Sequence, residues 1–318
     1  IYDFVETELH AAYDLLPEEN DVYANKFAAA AMIARLHADA LVFDGHADTL
    51  LDILDQGLSF EAMTPGHHID FARMAAGGLD AEFFTAFVEP TFIPGAAARA
   101  TALIDTLHAQ AARFPDRLAV ALTADQVEEA VRGGRRAAIP AIEGGHAIED
   151  SLEQLAAFHA RGVRLMTLTW NNSNGWADGC LPHPGDPRHG GLTDFGREVI
   201  ATMERLGVIV DISHAAPETF WDVANVATKP FVASHSCAQA LTPHFRNLSD
   251  EQLRAVARHG GLVAVCFASP FLTDELGAWD RIKEGPEYAA LKPEQRTGEI
   301  YPPLMSPEEG ELYFRLVP

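Results

Sequence analysis

The sequence predicts an α/β fold, a (β/α)8 TIM-type barrel that lacks its last strand. Short apolar runs rich in β-branched residues alternate with longer amphipathic stretches. The runs recur at spacings of roughly 25–45 residues, and strand–helix alternation of this kind implies a parallel sheet covered by helices. No glycine-rich phosphate loop, GxGxxG or GxxxxGK(S/T), supports the alternative of an open, doubly wound sheet.

The elements follow in order. Ala24–Ala40 is Ala-rich, with Met32, Ile33 and Leu36 at helical spacing. Seven strands are expected: Ala40–Phe43, Ala81–Val88, Ala137–Ile142, Val163–Thr169, Val208–Ile212, Pro230–Ala233 and Leu262–Phe267. Helices are expected over Gly95–Arg113, Asp150–Ala160, Asp194–Leu206, Ala216–Val226 and Ser249–His259. Thr193-Asp194 and Ser249-Asp250-Glu251 look like helix starts. Gly162, Gly207 and Gly260 fall where a helix stops before the next strand. Long loops are expected at Thr64–Ile69, Trp170–Gly191 and Ser269–Pro303, and a short helix at Ser306–Leu316. The middle loop follows a strand, which is the functional side of a barrel. The whole chain, 1–318, reads as one barrel domain: a helical segment over 1–39, strands over 40–268, and a loop and helix over 269–318.

Composition narrows the function. The chain has 318 residues, 48% of them apolar, which is material for a sizeable core. Its net charge of −23 excludes the basic footprint that nucleic acid or an anionic membrane surface needs. Three cysteines, Cys180, Cys237 and Cys266, form no CxxC pair and no disulfide framework. No apolar run reaches the roughly 18–20 residues of a membrane-spanning helix. No signal peptide is visible, so the chain reads as soluble, with cytoplasmic, periplasmic and secreted locations all open.

Several apolar runs end in residues that bind metals. LVFDGHAD ends in His46 and Asp48, AAIPAIEGGH in Glu143 with His146 behind it, VIVDISH in His214, and FVASHS in His235. In a barrel these ends converge on one face. In extended backbone, His46 and Asp48 project the same way and can grip one ion. His and carboxylate donors suit Zn²⁺, with Mn²⁺, Co²⁺ or Ni²⁺ as alternatives. Five donors exceed the need of one open catalytic zinc and suit two ions bridged by a carboxylate, for which Glu143 is the natural choice. Two ions about 3.5–4 Å apart hold a shared hydroxide and polarise a carbonyl, which is the chemistry of amide, ester or phosphoester hydrolysis. Asp44, Asp211 and His146 are candidates for outer contacts. No GxSxG or HExxH occurs, and Ser213 and His214 diverge as strand neighbours.

The blocks DGHADTL, IEGGHAI, RLMTLTWNN, GLTDFGREVI with ERLGVIVDISH, and ASHSCAQAL with HFRNLSDEQL resemble the membrane (renal) dipeptidase family of zinc peptidases, in that family's order, over roughly residues 40–268. The resemblance implies a (β/α)8 barrel with a binuclear zinc site. It implies that His46 and Asp48 bind one zinc, His214 and His235 the other, and that Glu143 bridges. It also implies that Arg246 holds the substrate carboxylate, that dipeptides are cleaved, often with a C-terminal D-residue, and that the chain forms a homodimer. Two positions depart from the family pattern. Trp170 stands where many members carry a His that helps hold the substrate, and it is carried forward as a substrate-binding residue. The family's last-strand Gly-Ser-Asp-Phe-Asp-Gly-like block is missing, so a fragment of a longer protein is expected. Two other functions compete: an amidohydrolase-type barrel acting on lactones or phosphoesters, and a metal-binding homologue that has lost catalysis. His-x-Asp in place of His-x-His, and Ile-Glu-Gly where a metal-bridging lysine would fall, speak against the first. The missing last-strand Asp favours the second.

Overall fold

The computed structural model describes residues 41–61 and 67–272. The helix expected over Ala24–Ala40, the tail helix at Ser306–Leu316 and most of the loop from Ser269 to Pro303 lie outside the described residues. The chain forms two compact units. The first comprises the described residues up to Phe87, with Ala98–Ala141 and Arg161–Val163; the second comprises Val88–Ala97, Ile142–Ala160 and the residues from Arg164 onward.

In the first unit, β1 (Phe43–Ala47) runs parallel to β2 (Ala81–Phe87). Helices α1 (Thr49–Gln56) and α2 (Phe71–Gly77) lie between them in sequence. Most of α3 (Ala96–Arg113) follows, then β3 (Leu118–Val120), α4 (Ala124–Arg132) and β4 (Arg136–Glu143) as far as Ala141. β3 is a strand the sequence reading did not include. It pairs in parallel with the first residues of β4 and lies off the main strand order. The core holds Phe60, Phe71, Phe84 and Phe114 in edge-on and tilted contacts, with centroids 5.0–5.8 Å apart. Ala81, Ala121, Ala130, Ala137 and Ile139 form a second cluster, closed by Phe83 and Val127.

Glu82 breaks the apolar character of β2. It is fully buried, it pairs in register with Asp44 of β1, and neither carboxyl oxygen has a hydrogen-bond partner among the described residues. Burial, reinforced by the Asp44 charge and opposed by His46, pushes its carboxyl well above the usual range.

The second unit carries the tip of β4 with Glu143, then α5 (Leu152–Ala160), β5 (Leu165–Thr167), α6 (Asp194–Leu206), β6 (Ile209–Asp211), α7 (Pro217–Val226), β7 (Ala233–Ser236), α8 (Asp250–Arg258), β8 (Val263–Val265) and the short α9 (Ser269–Leu272). β5 pairs in parallel with β6, and β7 with β8. A parallel bridge from Asp211 to Val232 links β6 to the entry of β7. The expected helix starts are present. Thr193 accepts from the Gly196 N–H, and Ser249 with Gln252 forms a capping box on α8. Among the described residues no helix is long and apolar enough to cross a membrane.

The loop from Trp170 to Gly191 is ordered by its own side chains. Asn174 Oδ1 accepts from the N–H groups of Trp176 (3.0 Å) and Ala177 (2.9 Å), and its amide donates to Leu168 O at 2.9 Å. The Asp178 carboxylate accepts from the N–H groups of His189, Gly190 and Gly191. The Trp176 ring is fully buried above Gly145, where a Cβ would lie 2.3 Å from Leu168 O and 2.4 Å from Trp176 Cζ2.

Gly145→Ala is therefore expected to lower stability by about 1–3 kcal/mol, read as a lower midpoint in denaturant, whereas Gly77→Ala, with nothing within 4 Å, leaves the midpoint unchanged or raises it. Equal midpoints for the two variants would contradict the packing of Trp176. A carboxyl whose folded pKa is raised loses stability as pH climbs above its unfolded value. Glu82→Gln should thus raise the melting temperature of metal-free protein more at pH 8 than at pH 4.5, and an identical shift at both would contradict the buried, uncharged acid.

Candidate functional site

The first unit presents His46 and Asp48. β1 ends at Ala47, and a register shift between Asp44 and Ala47 marks a bulge. Asp44 Oδ1 accepts from the His46 N–H at 3.0 Å, which fixes the turn of the backbone. Asp48 is already outside the strand, at the N-cap of α1. The two side chains do converge, with Nε2 and Oδ1 3.4 Å apart, but through a bulge and a helix start and not through simple strand alternation. Thr85 of β2 braces them. Its hydroxyl lies 2.8 Å from Asp48 Oδ1 and 2.8 Å from Ala47 O.

The second unit presents Glu143, His214 and His235. Glu143 is buried at the tip of β4. His214 Nε2 lies 2.9 Å and His235 Nε2 3.4 Å from the same oxygen, Glu143 Oε1. The two imidazole rings are 4.9 Å apart, tilted by 56°. His214 has φ of +66°, a left-handed conformation that a side chain of this size rarely adopts, just past the end of β6.

Each imidazole is held from behind. His214 Nδ1 meets Asn171 Oδ1 at 2.8 Å. His235 Nδ1 meets Ser234 Oγ at 2.8 Å, and Ser234 Oγ donates to Asp211 Oδ2 at 2.6 Å. Thr167 Oγ1 donates to the same carboxylate oxygen at 2.6 Å. Burial raises the Asp211 pKa, but the His235 charge and these hydrogen bonds outweigh it, so the carboxyl sits below its ordinary value. With Nδ1 spoken for, each ring turns Nε2 toward Glu143. This donor arrangement, imidazole Nε2 beside a carboxylate with outer hydrogen bonds on Nδ1, fits a divalent cation.

Arg246 is 5% exposed, so it is not the surface arginine of a solvated ion pair. Its Nη2 donates to the His235 carbonyl at 3.3 Å, and its guanidinium carbon lies 5.4 Å from the Phe271 ring centroid. Burial lowers its pKa, which still leaves a cation. The Trp170 ring lies 6.2 Å from that of His214 and 6.2 Å from that of His183. His146 is buried, with Nε2 bonded to Val88 O at 2.8 Å. Asp211 was legible as an outer contact, whereas Thr85, Thr167 and Ser234 were not. Each is a small hydroxyl inside an apolar run, and no spacing rule marks it.

The model of the family described as membrane dipeptidase (peptidase family M19) matches residues 30–297. Dipeptidase aclJ of Aspergillus oryzae is 35% identical over 206 residues, which are 62% of this chain and 48% of the relative. The chain thus spans about half the length of that curated relative. A metallo peptidase from Rhodobacter sphaeroides, solved with a phosphinate mimic of the dipeptide L-Ala-D-Ala, is 31% identical with a TM-score of 0.66, over 74% of this chain and 76% of that one. The probable dipeptidase PvdM from Pseudomonas aeruginosa shares the fold at 24% identity, with a TM-score of 0.72 over 90% of this chain and 78% of that one. From the family match over most of its length, the chain belongs to the membrane dipeptidase family, peptidase family M19.

Proposed function

We propose that this chain is a metal-dependent dipeptidase. His46 and Asp48 hold one zinc ion, His214 and His235 a second, and Glu143 serves both. The observation that carries the reading is the meeting of two Nδ1-anchored imidazoles at one buried glutamate oxygen. Outer hydrogen bonds on Nδ1 are what metal-ligating histidines carry. Bound divalent ions supply Lewis acidity and lower the pKa of water from about 15.7 to about 7.

The protein's own residues do the rest. Arg246, fixed by the His235 carbonyl, offers a positive, forked donor to the free carboxylate of a dipeptide. Trp170, beside His214, supplies an apolar surface and one neutral N–H donor where family members often have an imidazole. Family membership supports a (β/α)8-type barrel architecture in a single domain and a homodimer, both of which we include in the proposal.

Purified protein should bind zinc and hydrolyse a small dipeptide panel, with activity abolished by chelator. Glu143→Gln is expected to lose both metal and turnover, measured by elemental analysis and product release. Retention of full metal content by that variant would contradict the site. Metal binding without turnover in the wild type would instead favour the catalytically impaired homologue. Asp211→Asn, which leaves Glu143 in place, should weaken zinc binding about 10–100-fold, read by competition with a chromophoric chelator. Arg246→Ala should raise KM for free dipeptides and barely change it for C-terminally amidated ones. Equal losses on both would remove the carboxylate role.

A further inference from the structure

Beside His214 lies a cavity of about 230 Å³, and of its other lining residues the proposed chemistry uses only Arg246. Its lining includes Ser236 at the end of β7, Arg246, and an apolar wall of Trp221, Phe245 and Leu248. Two polar atoms of these residues lack a protein partner among the described residues. Ser236 is fully buried and Arg246 is 5% exposed, yet Ser236 Oγ and Arg246 Nε have no hydrogen-bond partner among the described residues. Buried donors left unpaired are costly, and both belong to residues that line this cavity.

The wall is aromatic and braced from behind. Trp221 packs edge-on against Phe220 (5.1 Å, 85°), and Phe220 packs on the buried Phe231. Phe245 stacks on His244 at 4.5 Å, and His244 in turn rests on Phe271. Trp221 and Phe245 nevertheless stay 39% and 51% exposed. Ligand sites combine this kind of apolar surface with a few placed polar groups. A cavity of about 150 Å³ is enough to hold a benzene ring, so this one has room for a ring and a carboxylate together.

Resting on the dipeptidase reading, we propose that this cavity receives the C-terminal residue of the substrate and selects an aromatic side chain there. The carboxylate takes Arg246 Nε and Ser236 Oγ, and the ring lies along Trp221 and Phe245. Trp221 and Phe245 thus act as specificity residues, and Ser236 is a second carboxylate donor.

The test is binding, so it does not depend on turnover. Titration calorimetry would compare N-acetylphenylalanine with N-acetylalanine, in both D and L forms, on the whole chain. The phenylalanine compound is expected to bind about tenfold tighter, in line with what a hydrophobic pocket discriminates. Trp221→Ala and, as a second variant that keeps bulk, Trp221→Leu should bring that ratio close to one. Ser236→Ala should weaken both ligands together. Equal affinities in the wild type, no binding of either, or a ratio untouched by both Trp221 variants would overturn the assignment. Dipeptide hydrolysis measured in parallel separates the two claims. Binding preference without any hydrolysis keeps the pocket and rejects the dipeptidase, and hydrolysis without preference does the reverse.

Discussion

The placing of the His235 ring in the second unit depends on one buried carboxylate. Asp211 ends β6 and is fully buried. Its Oδ1 accepts from the N–H groups of Ser213 (3.0 Å) and Ser234 (2.9 Å), and its Oδ2 from the hydroxyls of Thr167 and Ser234. Three strand ends, β5, β6 and β7, are therefore tied to a single side chain. The direction of the hydrogen bonds matters as much as their number. Because Ser234 gives its proton to Asp211, its oxygen must accept from His235 Nδ1–H. That assigns the tautomer and leaves the Nε2 lone pair on the side of Glu143.

His214 is anchored at Nδ1 by another route. Its anchor, Asn171, comes from the long loop after β5, which Asn174 and Asp178 order through backbone N–H groups. The close seat of Trp176 on Gly145 pins that loop next to the strand that ends in Glu143. A loop dense in Gly, Pro and Asn is thus a rigid part of the site. Its glycines allow close approach, and its polar side chains satisfy backbone that no strand or helix would.

The strands were legible as short apolar runs, and the long helices because each carries enough residues to display a period. Asp194–Leu206 was read to the residue; Ala81–Val88, Val163–Thr169, Val208–Ile212 and Leu262–Phe267 each contain an observed strand, Ala137–Ile142 lies within β4, and Ala40–Phe43 and Pro230–Ala233 stop at the first residue of β1 and β7. β3 and the helices α1, α2, α4 and α9 were missed. α1 follows the strand directly at Thr49, so its pattern merged with the strand's. The histidines and acids at strand ends were legible because polar residues after an apolar run stand out. The reason His46 and Asp48 converge was misread, because a bulge cannot be seen in residue identity alone. Thr85, Thr167 and Ser234 act through one hydroxyl each, and Glu82 is a charged residue type placed where its charge is suppressed. Such roles depend on which strand lies beside which, information that only the fold supplies.

The central claim is that Asp211, through Ser234, holds His235 with Nδ1 protonated and Nε2 bare. Two-dimensional ¹⁵N–¹H correlation of the histidine rings in metal-free protein at pH 8 tests it directly, with His235 assigned from its loss in His235→Gln. The account predicts a protonated Nδ1 and an unprotonated Nε2 for His235, collapsing to a mixture of tautomers in Ser234→Ala. A wild-type His235 with its proton on Nε2 would contradict it.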